Sequence, residues 1–138
     1  MMKKRKLFVL VGFIAVLMAA ECVYAATTWT DTETWSLDAG DGYSTTTTTG
    51  SKLGATKTTN STEWDVYTAS KTMVTFPKAK LVNSNGETRS DIVTTAAKGK
   101  YNSGDSNTGS VGYAEYLSVK PGVLQTGTET IKLQFRNY

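Results

Sequence analysis

What this chain lacks narrows it first. Its 138 residues include no histidine and a single cysteine, Cys22. Without histidine the commonest general base is absent, and Ser-His-Asp and Cys-His arrangements are excluded. One cysteine closes no disulfide within the chain, and a zinc site would have to be built from carboxylates alone. Leu, Ile, Val and Phe are also scarce. Beyond residue 25 they number 17 of 113, under the level of about one fifth below which disorder becomes an option. Disorder also requires high net charge and few aromatic residues. Three Trp, six Tyr and two Phe are spread over those 113 residues, so an ordered chain with a thin core is expected.

Only one long hydrophobic run is present, residues 7–20, and it is flanked in an informative way. Lys3, Lys4, Arg5 and Lys6 precede it, and Val23-Tyr24-Ala25 follows with small residues where a signal peptidase needs them. These are the three zones of a secretory signal peptide, with cleavage expected after Ala25. The run stops at Glu21, short of the roughly 20 apolar residues that a membrane helix needs. A lipid-anchored reading of Cys22 would require a small residue before it, and Glu21 stands there. The expectation is therefore a leader over residues 1–25, a single domain over 26–138, no membrane span after cleavage, and a location outside the cell.

Charge of one sign is missing as well once the leader is set aside. The whole chain carries a net +3, from 15 Lys and Arg against 12 Asp and Glu. The leader holds four of the cations and Glu21, which leaves 11 against 11. A neutral chain without a cationic cluster has no electrostatic footprint for nucleic acid or anionic lipid. The partner class that remains is extracellular or at the cell envelope, its identity and the oligomeric state unread. No cofactor is implied.

What is abundant is threonine. All 24 lie beyond residue 25, in strings such as residues 45–49. A β-branched polar side chain suits the exposed face of a pleated sheet. Alternation of period two recurs along the chain, and no stretch beyond residue 25 carries a helical apolar pattern. Residues 27–37 place Trp29, Trp35 and Leu37 in one phase, interrupted by Asp31 and Glu33, which suggests a bulge or an edge. Residues 43–59, broken by Gly50 and Gly54, read as a hairpin. Two short strands follow, one through Trp64, Val66 and Thr68, the other through Thr72, Val74 and Phe76, ending at Pro77. Asn85-Gly86 predicts a two-residue hairpin tip with positive φ at both positions, and residues 88–97 the returning strand. Val111, Tyr113, Leu117 and Val119 share a face. Ile131, Leu133 and Phe135 alternate with Thr130, Lys132, Gln134 and Arg136 in the clearest strand of all. Six to eight short strands predict an all-β fold, a small antiparallel β-sandwich, with Trp64, Val74, Phe76, Leu117, Ile131, Leu133 and Phe135 in one core.

Candidate chemistry is sparse. Asp38, Asp41, Glu63, Asp65 and Glu115 could supply a carboxylate pair of the glycosidase kind, but each sits beside turn residues or on a polar strand face and reads as solvated surface. The loops 38–42 and 105–109 invite calcium, yet their twelfth positions are Thr49 and Tyr116 where a bidentate Glu is required, so turn chemistry is the reading. Asn60-Ser61-Thr62 is a glycosylation sequon of consequence only in a eukaryote. Alternate threonines at 28, 30, 32 and 34 and at 45, 47 and 49 resemble ice-binding ladders, but no repeat period accompanies them. Trp29, Trp35 and Trp64 with Tyr43 and Tyr67 are either a sugar-stacking platform or the core, and in a chain short of Leu and Ile the core has the stronger claim.

In plan the chain has a leader, an early tryptophan, an Asn85-Gly86-x-x-Arg89-Ser90 stretch and an aromatic C-terminal strand ending at Phe135 and Tyr138. That plan resembles the small exported Thr/Ser/Gly-rich β proteins of Gram-positive bacteria, a group that includes lactococcin 972-type bacteriocins. The chain is longer than bacteriocins of that type and lacks their histidines, so no functional residue carries over. The expected function is an exported, non-catalytic β protein acting through its surface. A secreted antimicrobial polypeptide and a weak glycan-binding or glycan-cleaving module are the alternatives.

Overall fold

The computed structural model describes residues 28–72 and 74–138. The leader, its cleavage site and Cys22 lie outside the described residues. The eight strands are β1 (Glu33–Asp38), β2 (Gly54–Thr56), β3 (Trp64–Lys71), β4 (Lys78–Val82), β5 (Val93–Thr94), β6 (Lys100–Gly104), β7 (Ala114–Lys120) and β8 (Thr128–Asn137). They form two antiparallel four-stranded sheets, ordered β1-β8-β3-β6 and β2-β7-β4-β5. No helix is present among the described residues, so none there is long and apolar enough to cross a membrane.

Period-two alternation makes the core. On β8, Ile131, Leu133 and Phe135 are fully buried while Thr130, Lys132, Gln134 and Arg136 face away. Trp64 and Val66 of β3, Trp35 and Leu37 of β1, and Leu81, Leu117 and Val119 of the second sheet join them in one hydrophobic cluster. Each such side chain contributes about 1.5–3 kcal/mol by leaving water, which is how a chain with few large apolar residues holds two sheets together. At one end the core rows turn polar. Leu117 is followed in phase by Glu115, Phe135 by Asn137, and Ala55 by Lys57, and all three polar residues are buried.

Two expected core residues are not there. Val74 is 87% exposed and Phe76 44%, because residues 74–77 lead the chain into β4 of the other sheet rather than forming a strand. Lys71 Nζ lies 3.4 Å from the Phe76 ring centroid instead. Val111 and Tyr113 are also exposed, since Gly112, at φ +88°, turns the chain just before β7 begins.

The Asn85-Gly86 turn forms with a different geometry. Gly86 has φ +82°, but Asn85 is not among the positive-φ residues. Gly86 N donates to Asn83 O at 3.0 Å and Asn83 N to Glu87 O at 3.0 Å, the three-residue loop with a bulge after the turn rather than the two-residue one. Asn83 Oδ1 selects it by accepting from Asn85 N and Glu87 N. The threonine string at 45–49 likewise bends into a tight turn, with Thr47 N on Ser51 O at 2.9 Å and Thr47 buried, so it presents no flat ladder.

Candidate functional site

The outward row of the first sheet gathers the polar and aromatic groups. Register sets Asp65 beside Arg136 and Ser103, and Tyr67 beside Gln134 and Tyr101. The segment before β1 adds a tryptophan to that row. Glu33 pairs with Leu133, which would set Asp31 against Phe135, but Thr30 takes that place, its N donating to Phe135 O at 2.9 Å. A one-residue slip turns every side chain to the opposite face. Trp29 therefore lies outside while Trp35 lies inside.

The resulting cluster is built around Arg136. Its guanidinium lies 4.6 Å from the Trp29 ring, 5.2 Å from Tyr138 and 5.8 Å from Tyr101. Trp29 is 5.6 Å from Tyr67 and 6.0 Å from Tyr101. Arg136 Nε donates to Asp65 Oδ2 at 2.6 Å, and the Tyr138 hydroxyl to the same oxygen at 2.7 Å. Burial works against the charged form of Asp65, but hydrogen bonds from Ser103, Tyr138 and Arg136 outweigh it and hold the carboxyl below its ordinary value. Tyr138 is pushed up to about 12, by burial first and then by its bond to Asp65 and that carboxylate's charge.

Beside the cluster runs a groove of about 360 Å³, bordered by Tyr101, Tyr138 and the carboxylates Glu63, Asp65, Asp91 and Asp105, with Arg136 as its cation. Its floor is fixed from the core. Asp91 Oδ1 accepts from Trp64 Nε1 at 3.0 Å and from Asp105 N at 3.0 Å. A side chain at Gly104 would run into the Trp64 indole, so the strand passes over the ring only as glycine. Asp105 accepts from the Thr62 hydroxyl and from Ser106 N, which lowers its pKa in that order of cause. Rings on the rim can stack on the apolar face of a sugar, and the carboxylates and Ser103 can bind its hydroxyls.

The five aromatic candidates thus divide. Trp29 and Tyr67 meet on this face. Trp35 and Trp64 are fully buried and open to no ligand. Tyr43 lies by the second sheet, with Lys80 Nζ 4.4 Å and Lys120 Nζ 4.9 Å from its ring, and burial raises its pKa. Among the carboxylates, Glu63 and Asp65 reach the groove, Asp38 ends β1 and Asp41 lies in the loop after it, and Asp65 and Glu115 are buried rather than solvated. Strand pairing is the reason: Asp65 is covered by Arg136 and Tyr138, and Glu115 continues the inward row of β7.

In the two loops considered for calcium the carboxylates act as turn acceptors. Asp41 Oδ2 takes Asp38 N at 2.9 Å, Asp38 takes the Thr128 hydroxyl, and Asp105 closes its own loop. Among the described residues no group of three or more metal-ligating side chains comes together. Tyr101, Asp91, Arg136 and Tyr138 belong to the site without standing out in the sequence as binding residues. Arg136 and Tyr138 carry a usable signal, since they continue the outward phase of the clearest strand, whereas Tyr101 sits in a turn-rich stretch with no pattern. No protein-family model, no curated protein and no solved structure matches this chain.

Proposed function

We propose that this chain is an exported, non-catalytic β-sandwich protein that binds a neutral or amine-bearing glycan at the cell envelope or outside the cell, using the groove on its first sheet. The observation that carries this reading is the setting of Tyr101. Tyr101 is 53% exposed, its ring stands 6.0 Å from that of Trp29, and it borders a groove lined by carboxylates, hydroxyls and Arg136. Export rests on the leader-like residues 1–25.

Catalysis is left out because Asp65, Asp91 and Asp105 are each committed to hydrogen-bond donors within the fold, and the chain has no histidine. Sedimentation with insoluble cell-wall polysaccharide tests the reading. Wild type should co-sediment and Tyr101→Ala should bind about tenfold more weakly, the equivalent of about 1.4 kcal/mol. Equal binding by the variant, or none by wild type to any wall polymer, would sink it.

A further inference from the structure

At the polar end of the core, between the sheets, lie a lysine, two asparagines and a glutamate, each no more than 3% exposed: Lys57, Asn107, Asn137 and Glu115. Their hydrogen bonds are directional. Asn107 Oδ1 accepts from Gly109 N at 2.8 Å, which fixes its amide so that Nδ2 donates to Glu115 Oε2 at 2.8 Å and to Asn137 Oδ1 at 2.7 Å. Asn137 Nδ2 in turn donates to Glu115 Oε2 at 2.5 Å. Lys57 Nζ donates to the backbone oxygen of the same Asn107 at 3.1 Å. Among the described residues Lys57 enters no ion pair, and Glu115 Oε1 has no partner. An amine and a carboxylate buried around the same asparagine without pairing is a costly arrangement that stability alone does not explain.

We propose that this cluster makes an intramolecular amide bond between Lys57 and Asn137, tying the second sheet to the last strand of the first. The amide of Asn137 is engaged at both ends as the reaction requires. Asn107 Nδ2 donates to Oδ1, where negative charge develops on attack, and Glu115 holds the nitrogen that must leave. Nζ, as the free amine, bonds to Cγ of Asn137 and the Cγ–Nδ2 bond breaks. One proton passes from Nζ by way of Glu115 to Nδ2, which departs as ammonia. Atoms and electrons balance with no oxidant or co-reactant. Nζ rests on the backbone oxygen of Asn107, the residue whose side chain grips Asn137, and the attack requires Nζ to leave that oxygen for Cγ. The chain has no possible internal disulfide, and such a bond would constrain its unfolded state in the way a disulfide does.

Tryptic peptide mapping of the denatured full chain tests this. Trypsin should fail to cut at Lys57 and should release residues 53–71 carrying the dipeptide of Asn137 and Tyr138, lighter by one ammonia than the two parts. Glu115→Gln and Lys57→Arg should lose that species. A circular dichroism spectrum with the wild-type β signal would show that the variants are folded. If the wild-type map shows cleavage at Lys57 and a free Asn137-Tyr138 dipeptide, the proposal falls. Linkage of Lys57 to Asn107, or loss of water in a bond to Glu115, would overturn the assignment of Asn137 as the acyl donor.

Discussion

On the outer face of the first sheet a cation is held by several rings and a carboxylate together, Arg136 among Trp29, Tyr101, Tyr138 and Asp65. On the second, the cations are lysines that lie over tyrosines without a carboxylate partner among the described residues: Lys80 and Lys120 at Tyr43, and Lys52 at Tyr116. The difference follows from the side chains. A guanidinium is planar and weakly hydrated, so it stacks on several rings and still gives an N–H to a carboxylate, whereas an ammonium is a hydrated point charge that keeps its water. The first face is therefore a fixed arrangement with a groove beside it. The second is a set of separate contacts whose removal disturbs little.

The largest test asks whether the two faces share one support. Phe135 lies in the cluster common to both sheets and is fully buried. Phe135→Ala should destabilise by about 3–5 kcal/mol, and denaturant unfolding followed by tryptophan fluorescence and by far-ultraviolet circular dichroism should still give one coincident transition. Two separated transitions would show that the sheets stand independently and would break the comparison at its root.

Next in size is the carboxylate that only the first face possesses. Asp65→Ala leaves Arg136 and Tyr138 without their shared acceptor, at an expected cost of about 1–3 kcal/mol, reduced because Arg136 keeps 26% of its side chain exposed. The pH dependence has two limbs. Asp65 titrates below its ordinary value of about 3.9, so its contribution is present above that value and is lost as pH falls through the lowered one. Tyr138, raised to about 12 from about 10, contributes fully below about pH 10 and loses that contribution as pH rises toward its folded value. Absorbance titration of the phenols should show two late tyrosines, Tyr43, which burial raises, and Tyr138. In Asp65→Asn Tyr138 should move earlier without reaching the ordinary value, because burial, the largest cause, remains.

Much of the fold is legible in the residues. The row Ile131, Leu133, Phe135 and the pair Trp64, Val66 announce inward faces by alternation alone, and the interruption at Asp31 and Glu33 marks where register slips. What alternation does not carry is where a strand ends and the chain crosses between sheets. Val74 and Phe76 keep the phase of a strand through a segment that is no longer one. The site is less legible for the same reason. Trp29 and Trp35 share a parity in sequence, and only the slip at Thr30, a property of pairing with Phe135, puts them on opposite faces. The burial of Glu115 is within reach of alternation, since it precedes Leu117 and Val119 in the inward phase, but a carboxylate is ordinarily read as surface.

The smallest expected effect sharpens the comparison most. Lys80→Met keeps the aliphatic stem that covers Tyr43 and removes the charge 4.4 Å from the ring together with the 2.8 Å hydrogen bond to the Thr88 hydroxyl. Both are at the surface, where a cation and a ring contribute about 0.5–1 kcal/mol and a second lysine, Lys120, remains at 4.9 Å to take over part of that. The loss should be no more than about 0.5 kcal/mol, smaller than for Asp65→Ala, and should leave polysaccharide binding at the wild-type level. Equilibrium unfolding of the two variants in one buffer decides it. If Lys80→Met proves as damaging as Asp65→Ala, the lysines of the second face hold their tyrosines as firmly as Arg136 holds its cage, and the contrast between guanidinium and ammonium does not govern this fold.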